Sequence, residues 1–441
     1  MSDLGARDWF RRSALLAAVV SVVLVASGCG SPSPTPAPTS APPPTAAPAT
    51  SPSASPATSP SPAASANAGA IYDEIEQQVI EIRGLQPSRP VARQSIDQAE
   101  LRTILTEEFD RQSPPDYVAA NDQLYKSLGL IPADSNLRDL TLDMLTGGVV
   151  GFYRNDQGKL YVVSKDGLPG AIERITFAHE FDHALQDQNF SVFKDQDGVL
   201  DQSDRILARQ AVYEGDSTLL MTLWASAHFS PQDMLAYVAA SVDPAAQAVL
   251  ARTPAFLRDL LLYPYTTGLS FVQATQLRDG WTGVDDLYRR MPTSTEQILH
   301  PQKYAADEAP IPVTMPADLG EQLGSGWSVP LEDTFGELEI EYWLRESGVK
   351  PATATTAAAG WGGDRLAVAK GPAGAWGVVI DTAWDTAADA SEFADAANTA
   401  ISGLANPARI SSPAGTHVTV LVASSEAVLL ALDVIFGATG V

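Results

Sequence analysis

Downstream of residue 70, apolar positions recur every three to four residues: Ile71, Ile75, Val79 and Ile82, then Leu101, Leu105 and Phe109. That spacing predicts helices over 71–84 and 95–112, because residues three or four apart share one helix face. A third helix is expected around Tyr117–Leu128, closed by Gly129. The pattern then changes to short apolar runs, 149–153 and 160–163, flanking Asn155-Asp156-Gln157-Gly158. Two β-rich runs around a glycine turn read as a hairpin, and a free edge of it suits pairing with an extended peptide. Helical spacing resumes over 170–188, 204–228, 231–242, 254–262, 264–278 and 282–290. No internal repeat is found.

Beyond about Pro310 the pattern differs again. A helix is expected over Leu331–Leu344, followed by an Ala/Thr-rich stretch. Strands are expected at Leu366–Ala369, Trp376–Asp381 and 416–423, with a helix at 386–403 between them. Asp364 and Arg365 are expected to pair within a structural turn.

The front of the chain is of another kind. Arg7, Arg11 and Arg12 precede an uncharged apolar run from Leu15 to Val25, which ends in Ala26-Ser27-Gly28-Cys29. Positive head, short apolar core and small residues form a secretory signal; a membrane span needs about 20 apolar residues. The end of the run resembles the lipobox of bacterial lipoproteins, with Ala26 where that family usually has Leu. The resemblance implies lipidation of Cys29, hence a membrane-anchored protein on the extracytoplasmic face. From Gly30 to about Ala70 the chain is nearly all Pro, Ser, Thr, Ala and Gly, and no charge occurs between Arg12 and Asp73. Such a stretch cannot bury a core, and at ~3.1 Å per residue it could hold a domain on the order of 100 Å from a membrane.

Charge and cysteine usage narrow the chemistry. The net charge of −25 disfavours nucleic acid as a partner. A single cysteine precludes an intrachain disulfide and a thiolate-based metal site, so any metal must be held by His, Asp or Glu.

One segment carries that donor set. His179-Glu180-Phe181-Asp182-His183 lies in the expected 170–188 helix, where positions four apart face the same way and can hold one ion. Glu180 sits beside that face, placed to take a proton from water that the metal activates. Metzincins need a Gly and a His shortly after the second His; Gln186 and Asn189 stand there. A third ligand from a later helix is expected instead. Glu214, in Ala211-Val212-Tyr213-Glu214-Gly215-Asp216, is the first candidate and Asp216 the alternative.

The run from His179 to Asp187 is similar to the active-site helix of thermolysin-like gluzincins, zinc peptidases of the His-Glu-x-x-His plus Glu kind. A wider stretch, roughly 117–310, looks like a set of exported bacterial gluzincin-like proteins. Its marks are Gly151-Phe152-Tyr153, Ala184-Leu185-Gln186-Asp187-Gln188, Glu214-Gly215-Asp216 and Ser294 through Pro301. The resemblance implies Zn2+ at His179, His183 and Glu214, Glu180 as general base, and Asp187 orienting His183. Thermolysin relatives carry an Asp four residues after the ligand Glu, where this chain has Thr218.

A further donor is needed to stabilise the developing oxyanion. His300 is the first candidate, with Tyr304 and Tyr265 as alternatives; His228 and His417 are assigned no role. The expectation is therefore an α+β protein in four parts: signal peptide (1–29), linker (30–70), a mainly helical zincin-like domain with a small hairpin or sheet (71–310), and a small α+β domain (311–441). Its expected activity is hydrolysis of peptide or protein substrates. The alternatives are a non-catalytic, zinc-stabilised scaffold and a solute-binding lipoprotein.

Overall fold

The computed structural model describes residues 62–163, 168–193, 201–241, 244–411 and 415–437. The expected signal peptide, the lipid-anchor candidate Cys29 and most of the linker lie outside the described residues. No helix among those described is long and apolar enough to cross a membrane.

The first helix, α1, spans Pro62–Arg83 and reaches back into the stretch expected to be linker. The cause is local: alanine dominates residues 63–70, and alanine is the best helix former. Ala68 already packs on the cluster that holds Ile75, Val79 and Phe177. Next comes a strand the periodicity did not reveal, β1 (Ala92–Ile96), so helix α2 begins later than expected, at Gln98–Gln112. Asp97 sets that start, its carboxylate accepting from the Ala99 and Glu100 N–H groups while Glu100 reaches back to the Asp97 N–H. Helices α3 (Pro115–Ser127) and α4 (Leu137–Gly148) follow.

The expected hairpin forms as β2 (Gly151–Arg154) and β3 (Lys159–Val163), with Gly158 at a φ of 59° in the turn. The sheet order is β1-β3-β2, with β1 parallel to β3 and β2 antiparallel to it. Among the described residues, one edge of β2 is thus unpaired by any strand. Helix α5 (Ala171–Phe190) packs against this sheet, and α6 (Ser203–His228) packs against α5. Helices α7 (Pro231–Ser241), α8 (Pro244–Arg252) and α9 (Ala255–Tyr263) lead to one π-helical turn, Pro264–Gly268. Helix α10 (Leu269–Arg289) continues from it and breaks at Gly280, whose φ is 67°. Two short helices follow, α11 (Thr295–Leu299) and α12 (Pro301–Ala305).

The C-terminal part is a five-stranded antiparallel sheet of order β4-β5-β6-β8-β7. It comprises β4 (Ser328–Asp333), β5 (Trp361–Lys370), β6 (Trp376–Trp384), β7 (Ala408–Ile410) and β8 (His417–Ala423). Leu319–Leu323 is α13, preceding β4. Residues 331–333, expected to open a helix, belong to β4; the helix is α14 (Gly336–Glu346), and the Ala/Thr-rich stretch is α15 (Pro351–Ala358). Helices α16 (Ala387–Ile401) and α17 (Glu426–Gly437) complete it.

Strand residues alternate between two cores, as a pleated sheet requires. Leu366, Val368, Val378, Ile380, Val418 and Val420 face one cluster with α14, α15 and α16. Ala367, Val379 and Leu421 face the other with α13 and α17. The first cluster also takes in Ala120 and Leu124 of α3 and Phe256 and Leu257 of α9. The expected division near 310 therefore does not separate two cores. The protein is mixed α+β.

Candidate metal centre

Helix α5 is buried on nearly every face from Ile175 to Gln186, which puts polar groups where they need partners. Three of them converge. His183 Nε2 lies 3.1 Å from His179 Nε2, and the Glu214 carboxylate on α6 lies 3.2 Å from His179 Nε2 and 3.3 Å from His183 Nε2. The three donor atoms make a nearly equilateral triangle. Tetrahedral ligands at the ~2.0–2.1 Å bond lengths of zinc stand about 3.3 Å apart, so the donor set fits that ion. The group has no fourth His, Cys, Asp or Glu among the described residues.

Electrostatics point the same way. Burial disfavours an ionised Glu214, yet His183 and His179 hold its carboxyl down at about 2. Burial likewise opposes a charged His183, but Glu214 raises it to about 10. Burial lowers His179. The Glu214 carboxylate thus demands one positive charge inside this triangle, from a proton on His183 or from a cation.

The surroundings fix the tautomer of His183. Gln186 Oε1 accepts from His183 Nδ1 at 2.9 Å, leaving the Nε2 lone pair turned to the triangle. The Gln186 amide is held in turn by Asp182 Oδ2 (2.9 Å), the Tyr213 carbonyl (3.0 Å) and Ser217 Oγ (2.8 Å). Behind these stands Arg83 of α1, buried, with 3.0–3.2 Å hydrogen bonds to Asp216 and a 2.8 Å ion pair to Asp285. Tyr288 donates to Asp216 at 2.7 Å. Asp216, the alternative third ligand, is therefore committed to Arg83 and Tyr288.

Glu180 is fully buried, and burial together with the nearby Glu214 pushes its carboxyl well above the usual range. The Tyr153 N–H, on the unpaired edge of β2, donates to Glu180 Oε2 at 2.9 Å. Its other oxygen, Oε1, is buried without a protein partner. Gly151 permits this approach of strand to helix: a Cβ there would stand 2.9 Å from the Tyr161 carbonyl and 3.0 Å from Thr176 Cγ2.

Two expected roles need correction. Asp187 does not orient His183; it accepts from the Tyr153 hydroxyl at 2.8 Å and lies 3.8 Å from Arg89. It points one helical position away, and Gln186 takes the place. His300 pairs with Glu337 at 2.8 Å, beside the Glu296–Lys303–Asp385 ion-pair cluster, and among the described residues no contact joins it to the triangle. Tyr304 hydrogen-bonds the Arg290 carbonyl, while His228 and His417 are exposed. Asp364 and Arg365 lie within β5 and do not pair with each other.

The hydroxyl that does reach the site is that of Tyr265. Its ring is 6.3 Å from that of His179, and burial together with the nearby Glu214 and Glu180 carboxylates raises its hydroxyl well above the ordinary tyrosine range. The π-helical turn presents it, a feature often found at functional sites. Thr218, which stands where thermolysin relatives carry an Asp, is buried with its hydroxyl unpartnered, and His179 Nδ1 is likewise buried without a hydrogen-bond partner among the described residues. Sequence spacing could have singled out Gln186, three residues after His183 on the same face; Arg83 and Tyr265 carry no such signal.

Against known proteins the chain offers little. Residues 327–432 match a domain of unknown function, DUF8575, which lies wholly in the C-terminal part. No curated protein matches the sequence. A solved structure from Chloroflexus aurantiacus, described as a candidate hydrolase with a novel fold, is similar over 55% of this chain and 89% of its own. The identity is 16% and the TM-score 0.36.

Proposed function

We propose that this protein is a zinc metallopeptidase of the gluzincin kind. The observation that carries the reading is the triangle of His179, His183 and Glu214 donor atoms at 3.1–3.3 Å, with a buried, raised Glu180 beside it. Zinc held by these three residues supplies a Lewis acid that acidifies water and polarises a carbonyl.

The remaining work falls to the chain. Glu180 Oε1, free of protein partners, takes the proton from the attacking water, and its raised affinity for protons suits that task. The same carboxyl then delivers the proton to the leaving amine. Tyr265 donates its hydroxyl to the oxygen on which negative charge develops. The edge of β2 away from β3 is where an extended peptide would pair, and to do so it must take the Tyr153 N–H from Glu180. The donors are no more than 3% exposed, so a substrate must displace the groups around them.

A structural zinc site is the second reading. Structural zinc is closed by four protein ligands, and three donors with an idle buried carboxylate fit that reading poorly. If Cys29 is lipidated, the activity would act outside the cell membrane. Metal analysis tests the premise: one zinc per chain is expected, lost in Glu214→Ala. Full zinc content in that variant would remove Glu214 from the site.

A further inference from the structure

A cavity of about 460 Å³ lies where the first turn of α6 meets the C-terminal sheet, a size usual for small-ligand sites. The extended segment 310–315 forms one wall. Its Ile311 N–H donates to the Gly362 carbonyl at 2.6 Å. It runs so close to β5 that a Cβ on Gly363 would stand 2.1 Å from the Ile311 carbonyl oxygen. The wall is thus a built part of the fold.

Five charged side chains line the cavity, and four are engaged. Asp204 accepts from the N–H and hydroxyl of Thr295. Asp364 accepts from the Phe335 and Gly336 N–H groups, both at 2.7 Å, and from the Trp361 indole at 2.9 Å. Arg365 pairs with Asp201 at 3.1 Å and with Glu332 at 3.5 Å.

Arg205 is the exception. Its Nη1 donates to the neutral Gln202 side chain at 3.0 Å, and its Nε is buried with no partner. No carboxylate among the described residues forms an ion pair with it. In a chain with 53 acidic against 28 basic residues, an arginine left in this state at a cavity wall has a role to fill. The positive end of the 26-residue helix α6 adds to it. Apolar surface lies beside it: Ile311 is 42% exposed, and the half-buried Val313 and Met315 line the same space.

We propose that this cavity binds a carboxylate carried on an apolar body, such as the last residue of a peptide. Arg205 receives the carboxylate, and Ile311 and Val313 take the apolar part. Asp204 lies about 15 Å along α6 from Glu214, so the site is separate from the metal triangle. It does not depend on that triangle being catalytic.

The test is titration of the full-length protein with N-acetyl-leucine and with N-acetyl-leucinamide, followed by ligand-observed NMR. The acid is expected to bind saturably and the amide roughly tenfold or more weakly, as for loss of a charge-assisted hydrogen bond. Arg205→Gln should weaken the acid by a similar factor, and Arg205→Lys by less. Equal binding of acid and amide, or no saturable binding of either, overturns the proposal without any variant. Acid binding that survives Arg205→Gln also overturns it, because it would place the carboxylate elsewhere, the metal triangle included.

Discussion

Gly215 on α6 and Gly268 at the end of the π-helical turn meet backbone to backbone. A Cβ on Gly215 would stand 2.5 Å from the Gly268 carbonyl carbon, and one on Gly268 would stand 2.3 Å from the Ala211 carbonyl oxygen. Only glycines allow this crossing, and the crossing seats the turn that carries Tyr265 against α6, with the tyrosine ring near His179. Both neighbours are rigid backbone, so Gly215→Ala must push the two segments apart. Overpacking of this kind costs about 1–3 kcal/mol. A lower denaturation midpoint together with weaker zinc binding is expected; a variant with unchanged midpoint and affinity would show that the contact is slack.

The sequence and the structure agree best where a single element carries the signal. His179, Glu180 and His183 are four-residue spacing on one helix, and Glu214 needed only a second buried helix to be found. Gly158 and the hairpin were equally readable. What failed were long-range choices. Asp187 and Gln186 differ by one position, and only the packing of α6 decides that Gln186 faces His183. His300 stands out in the sequence because Thr293–Gln297 reads as a turn or helix start that His300-Pro301 closes. The π-helical turn that delivers the tyrosine leaves no periodic trace. Strand β1 escaped because a five-residue run that is mostly polar has no apolar alternation. Arg83 reads as an ordinary helix-terminal cation until tertiary packing buries it among Asp216, Asp182 and Asp285.

Gln186 holds the His183 ring through Nδ1 and is itself held by three other groups. Gln186→Ala should therefore leave the ring free to turn and weaken zinc by roughly 10- to 100-fold. Competition with a chromogenic chelator measures it directly. Wild-type affinity in the variant would assign the orientation of His183 to Ser217, whose hydroxyl lies 3.2 Å from the same nitrogen.

The junction between α6 and the C-terminal sheet should be sensitive to pH. Burial pushes the Asp333 carboxyl up to about 7 from its ordinary 3.8, against the hydrogen bonds from Ser203 and Thr334 that pull it down. A carboxyl raised in the folded state holds its proton longer than in the unfolded chain. Its stabilising contribution is complete below about pH 3.8 and is lost as the pH rises toward 7. The melting temperature of wild type minus that of Asp333→Asn should therefore decline across this interval. A difference that is flat or rises with pH would contradict the assignment.

The central claim rests on Glu180, whose free oxygen Oε1 is buried next to the metal donors. The most direct measurement is digestion of a broad peptide library by zinc-loaded wild type and by Glu180→Gln, with zinc content determined on the same samples. The account predicts one zinc per chain in both proteins, cleavage by wild type, and loss of cleavage by a factor of at least about 100 in the variant. Equal cleavage by the two proteins, or none by zinc-loaded wild type, would contradict it.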